Sequence, residues 1–240
     1  MTASATTTIT TVSARGQAGP IDHSRQAAAR VFEALRAEIV GLVLPPGAAL
    51  ARTALQARFQ VSSTPLRDAL LRLRAEGLVD VFPQHATRVS LIDLDAATQA
   101  HFLRRSIEIE IAKVLAEAPP AGLAARLRAI TEQQEWLTGR GELDPFAALD
   151  LAFHELLYEA AGVAHLWQLV RRESGQIDRL RRLHLPVDGK ARQVVADHFA
   201  IIAAIEAGNG PRAQALVREH LSKSIAFAPT IRTRFPAYFR

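Results

Sequence analysis

Four residues in the second half of the chain have the types and positions to hold a metal ion: Asp150, His154, His198 and His220. Around the first two, Phe146, Leu149, Phe153, Leu157 and Ala160 recur at the spacing that keeps one face of a helix apolar. At about 100° per residue Asp150 falls beside Leu157, inside that stripe, where a bare carboxylate is costly. His154 follows one turn later on the same side, so both side chains can converge on one point. His198 sits amid Val194, Ile202 and Ile205, and His220 amid Ala213, Leu216 and Val217. Each histidine taken singly reads equally well as a hydrogen-bonded core residue. Four such residues on core-facing lines of helices point instead to one shared ion. Three neutral imidazoles and one carboxylate suit a borderline divalent metal, zinc first, with nickel, iron or manganese as the other choices, and leave positions open for a ligand or water. The same set could activate water for hydrolysis, yet no separate glutamate is placed as an evident general base. A third reading makes the metal structural and the domain a dimerisation unit only.

The elements that must position these residues read as helices throughout. They are expected at 96–117, stopped by Pro119-Pro120; 122–138, stopped by Gly139 and Gly141; 145–161, with Asp144 as cap and Gly162 after; 164–184, stopped by Pro186; 190–207; and 211–227. That makes a helical bundle of six or seven helices.

The first half is organised differently. Apolar residues at Ala28, Val31, Leu35, Ile39 and Leu42 predict a helix from Ser24 to Val43, ended by Pro45-Pro46-Gly47. Two shorter helices follow, 52–59 and 65–75, joined by Gln60-Val61-Ser62-Ser63, with Ser62 or Ser63 able to cap the second. After Gly77, Leu78 to Phe82 and Thr87 to Leu91 read as two strands around a turn at Pro83-Gln84-His85-Ala86. Three helices and a hairpin make a winged helix-turn-helix, so the expected fold is mainly α, with that unit followed by the all-α bundle. At the second short helix, Ser62, Ser63, Thr64 and Arg67 gather hydroxyls, free N–H groups and a guanidinium at a helix N-terminus. Such an end attracts phosphate, and Arg can grip a guanine edge. Between Ser24 and Ser90 nine basic residues face five acidic ones, the sign that DNA requires.

Leu44-Pro45-Pro46-Gly47, Leu50, Leu55, the run from Val61 to Leu70, Leu73 and Glu76-Gly77-Leu78-Val79 together resemble the DNA-binding domain of the GntR superfamily. The resemblance implies operator contacts at Ser62, Thr64, Arg67 and, at the wing tip, His85; Arg52, Ser63 and Arg88 complete the candidate set. Ser63 stands where the family usually has Arg, Ala86 where it has Gly and Arg52 where it has Glu.

Asp150-x3-His154, His198 followed by Ile201 and Ile202, Gly208-Asn209, Ala213 and His220-Leu221 resemble the ligand-binding domain of the FadR subfamily, called FCD. The resemblance covers about residues 98–228. It implies that Asp150, His154, His198 and His220 hold the metal, and that Arg104, with Glu108 one turn on, faces a small organic acid effector. An internal Arg104 to Glu108 ion pair is the competing reading. Val163 replaces a family Asn near the pocket. The resemblance also implies a homodimer on a near-palindromic operator, repression as the commoner outcome, and no enzymatic activity.

Bulk properties agree with this division. With no cysteine, thiolate metal sites and disulfides are excluded. A net charge of +5 admits an anionic partner without requiring one. No run approaches the roughly 20 apolar residues of a membrane-spanning helix, and a cytoplasmic location is expected. The expected domains are an arm at 1–22, rich in Ser, Thr, Ala and Gly; the winged unit at 23–92; the FCD-like domain at 98–228; and a tail at 229–240.

Overall fold

The computed structural model describes residues 20–82 and 86–240, so the expected arm at 1–22 lies almost wholly outside the described residues. Helix α1 (Pro20–Val40), α2 (Arg52–Phe59) and α3 (Ser63–Ala75) precede an antiparallel pair, β1 (Val79–Phe82) and β2 (Ala86–Val89), in the register Val79 to Val89 and Phe82 to Ala86. The apolar line of α1, Val31, Phe32, Leu35 and Ile39, packs on Leu66, Ala69, Leu70 and Leu73 of α3, with Leu78 and Val89 closing the core. The loop before α2 fastens to the wing, where Gly47 N donates to Val89 O and Leu50 N to Thr87 O. Ser62 takes the N-cap position of α3, but its side chain makes no capping bond.

The second half comprises α4 (Leu94–Glu117), α5 (Leu123–Thr138), α6 (Leu143–Ala160), α7 (Ala164–Glu173), α8 (Gly175–His184), α9 (Lys190–Glu206) and α10 (Gly210–Ala226). Its core is drawn from Ile111 and Leu115, Leu127, Phe153 and Leu157, Ile201, Ile202 and Ile205, and Val217, one group from each principal helix. Three expectations are corrected. The helix expected at 164–184 is two helices broken at Ser174, whose hydroxyl donates to Asp178 Oδ2 at 2.7 Å and accepts from Arg171. Asp144 does not cap α6, which starts earlier, behind Glu142; an ion pair with Arg182 claims its carboxylate instead. The expected tail folds as α11 (Ala228–Arg234) and a short 3-10 turn, because Ile231 and Phe239 are apolar and bury against Ile177 and Leu180.

Helix α8 is the seat of the winged unit. A Cβ on Gly175 would lie 2.8 Å from Leu78 Cδ2, so glycine permits this approach. Beside it Gln176 Nε2 donates to Gly77 O at 2.7 Å, and the fully buried Arg179 donates to Ser90 O at 2.7 Å. Burial pulls the Arg179 guanidinium down to about 10, which its carbonyl and hydroxyl partners tolerate without a paired carboxylate.

Candidate metal centre and DNA-reading face

Asp150 and His154 leave α6 one turn apart, His198 leaves the middle of α9 and His220 the middle of α10. All four are buried, and one ligand atom from each lies within 4.8 Å of the others. His154 Nε2 and His220 Nε2 are 3.4 Å apart, and His198 Nε2 is 3.6 Å from Asp150 Oδ1. Two atoms each about 2.1 Å from a common ion stand roughly 3 to 3.5 Å apart, so these two pairs are close to the spacing of ligands on one ion. Asp150 Oδ1 and His198 Nε2 are buried without a hydrogen-bond partner among the described residues, and an ion between them would satisfy both.

The far side of every ring is braced. His198 Nδ1 meets Gln134 Oε1 at 2.8 Å, His220 Nδ1 meets Asp197 Oδ2 at 3.1 Å, and His154 Nδ1 lies 2.8 Å from Glu108 Oε2, though poorly aligned with it. An acceptor at Nδ1 fixes the tautomer that leaves Nε2 free to ligate and orients the ring. Lys223 in turn holds Asp197 at 2.7 Å, and Phe153 stacks flat on His198 at 3.8 Å.

The charges agree. Burial would raise the Asp150 carboxyl, but Arg181, then His154 and His198, outweigh it and hold it far below the usual carboxylate range. Burial pushes His154 down to about 4 despite Glu108, and pushes His198 well below its ordinary value. The site therefore offers an ionised carboxylate at Asp150 and neutral imidazoles at His154 and His198, the forms that bind a metal.

Arg104 and Glu108 form the internal pair, Nε to Oε1 at 2.5 Å, both buried. Arg104 Nη2 has no partner among the described residues and Arg104 lines a cavity of about 420 Å³, whereas Glu108 does not reach that lining. Glu108, expected at the effector, stands instead behind His154, its Oε1 accepting from Arg104 and Tyr158 and its Oε2 lying 2.8 Å from His154 Nδ1. Asp150 and His220 line the cavity from the metal cluster, and Glu33, Arg36, Ala37 and Val40 of α1, with Gly41 just after it, line it as well. Gln134, Asp197 and Arg181 were not anticipated. Gln134 alone carried a signal, a polar residue within the Leu127, Thr131 and Leu137 stripe of α5.

On the winged unit, Arg52, Ser62, Ser63, Thr64, Arg67 and Arg88 are all exposed. Thr64, Arg67, Leu71 and Arg74 share the outward line of α3, and Leu71 is 47% exposed there. Arg88 Nη1 donates to Gly47 O at 3.1 Å. His85 lies outside the described residues.

Comparison with known proteins matches the family of bacterial regulatory proteins, gntR family, over residues 27–89 and the FCD domain over residues 99–223. This chain is a GntR-family transcriptional regulator with an FCD domain. As such it is a DNA-binding protein rather than an enzyme. An HTH-type transcriptional regulator in an unstable DNA locus of Streptomyces ambofaciens is 36% identical over 212 residues, 87% of this chain and 88% of that protein. The HTH-type transcriptional repressor RspR of Escherichia coli K12 is 26% identical over 194 residues, 81% and 85% of the two chains. Among solved structures, E. coli McbR/YncC superposes with a TM-score of 0.73 at 19% identity, over 85% of this chain and 97% of that one, which concerns the fold alone. No helix among the described residues is long and apolar enough to cross a membrane.

Proposed function

We propose that this GntR regulator binds a divalent metal, zinc first, through Asp150, His154, His198 and His220, and that a small organic acid seated on the metal and Arg104 changes its affinity for operator DNA. The observation that carries this reading is the convergence of three braced Nε2 atoms and an unpartnered carboxylate oxygen at the end of a cavity that α1 walls off. The ion supplies a Lewis-acidic seat for carboxylate oxygens. Arg104, a cavity-lining residue whose buried Nη2 has no hydrogen-bond partner among the described residues, supplies the directional hydrogen bond that selects a carboxylate.

A line of charged groups joins the cavity to the reading head. Asp150 pairs with Arg181, Arg181 with Asp178, and Asp178 with Arg171. The Arg171 carbonyl accepts from Arg36, which pairs with Glu76 at the C-terminal end of α3. An acid that draws Arg181 away from Asp150 shifts the seat on which α3 rests, and with it the population able to engage DNA. Ser62, Ser63, Thr64, Arg67, Arg52, Arg88 and His85 are the proposed DNA contacts. The protein acts in the cytoplasm as a homodimer, with two recognition helices about one helical turn apart. Repression is the direction named for the E. coli relative.

The test is elemental analysis of the purified protein followed by electrophoretic shift on its own promoter with a panel of metabolite acids. Stoichiometric metal that is lost in the His198→Ala, His220→Ala double variant supports the reading, as does an acid that moves operator affinity in metal-loaded protein. Metal content unchanged by that variant, or an operator affinity that no acid alters, overturns it.

A further inference from the structure

The cavity lining carries six cationic side chains, Arg36, Arg104, Arg171, Arg181, Arg182 and Lys190, against four carboxylates. Five of the six cations already have a carboxylate: Arg36 has Glu76, Arg104 has Glu108, Arg171 has Asp178, Arg181 has Asp150 and Arg182 has Asp144. Lys190 has none among the described residues. Its one hydrogen bond is a long contact of 3.5 Å to Gln193 Oε1, and the residue is only 8% exposed. A buried ammonium without a counter-charge is costly and is retained where an anion completes it.

Two further features point the same way. Lys190 is the first residue of α9, a 17-residue helix whose N-terminal N–H groups favour negative charge. Burial also pulls its amine down to about 8, with Asp197 opposing only in part, and a nearby anion would raise it again.

We infer that Lys190 is a second anion seat of the effector cavity, and that the effector is a small acid with two anionic groups. One carboxylate occupies Arg104 and the metal side, where Asp150 and His220 face the cavity. The other group, a second carboxylate or a phosphate, meets Lys190 at the start of α9. This rests on the reading of the cavity as an effector site. It adds to that reading the charge of the ligand and the residue that selects it.

The test is calorimetric titration of full-length, zinc-loaded protein with glutarate, its monoamide glutaramate and 3-phosphoglycerate, repeated on Lys190→Met and Lys190→Gln. Glutarate and 3-phosphoglycerate, each with a second anionic group, should bind the unaltered protein about tenfold or more tighter than the monoamide, the worth of one charge-assisted hydrogen bond. In both variants the ratio should collapse to within about twofold. Whether glutarate or 3-phosphoglycerate is the tighter identifies the second group. Equal binding of glutarate and its monoamide, or a preference that survives both substitutions, overturns the role of Lys190 and leaves the effector site standing. Absence of binding by all three acids overturns both.

Discussion

Arg181 of α8 is ion-paired with Asp150 of α6, and so a cavity-lining guanidinium holds a candidate metal ligand from behind. The pair has a chemical consequence. Burial alone would favour a protonated Asp150 carboxyl, and Arg181 is the foremost group that reverses this. With Arg181→Met, a proton competes with the metal for Asp150. Metal affinity should fall by about 10- to 100-fold, as when other partners of metal ligands are removed. Competition with a chromophoric chelator measures it. Unchanged or tighter metal binding would show that Arg181 does not serve Asp150.

Arg36 ties the cavity wall to α3 through Glu76 and to α7 through the Arg171 carbonyl. Replacing it with Met removes the last link between Arg181 and the end of the recognition helix. The variant should still fold and bind operator, with a stability loss of about 1.5 to 3 kcal/mol for a partly buried charged hydrogen bond. Its operator affinity should respond to acid several-fold less than the parent's. Electrophoretic shift with and without the effective acid reads this directly, and a full response in Arg36→Met would remove the relay.

His184 provides a pH signature separate from the metal cluster. It is buried, stacked on Phe227 at 4.2 Å, and its Nδ1 has no partner among the described residues. Burial, helped by Lys190, lowers it to about 4. The unfolded imidazole titrates near 6.5, so between about 6.5 and about 4 the unfolded chain binds the extra proton. Stability is therefore fully present above that window and is lost as pH falls through it, by up to about 3 kcal/mol from this residue. Urea unfolding at several pH values should show a shallower acid loss in His184→Leu than in the parent. Parallel curves for the two proteins would mean that His184 takes up its proton without cost.

How much of this was legible beforehand depended on periodicity. Asp150, His154, His198 and His220 were visible because each interrupts an apolar stripe, and an interrupted stripe needs a reason. Gln134 interrupts one too and could have been found in the same way. Asp197 and Arg181 could not, since charged residues at a half-buried edge look like any solvated face. The wing strands were visible by alternation, with Val89 buried and Arg88 exposed. The break at Ser174 was not, because neither Ser nor Gly within a helical pattern dictates a stop. What fixes it is tertiary: the approach of Leu78 to Gly175, and the claim of Asp178 on the Ser174 hydroxyl. The resemblance places Glu108 at the effector together with Arg104, but a one-turn spacing does not say which of the two reaches the cavity, and only Arg104 does.

The outward line of α3 separates two kinds of DNA contact. Arg67 is exposed one turn inside the helix start, and Leu71 presents an apolar side chain one turn further on. A guanidinium that reads a guanine edge contributes about 1 to 3 kcal/mol and discriminates at one position, whereas one that grips phosphate weakens all sequences alike. Leu71 can meet only an apolar base feature such as a thymine methyl group. Arg67→Ala should therefore weaken the cognate operator by about 10-fold or more. Leu71→Ala should leave the salt dependence of binding unchanged while reducing preference at a single base pair. Fluorescence anisotropy on operator variants across a salt series separates these outcomes. If Arg67→Ala flattens the salt slope by about one and keeps the base preference, Arg67 contacts phosphate and the reading of bases passes to the rest of that line.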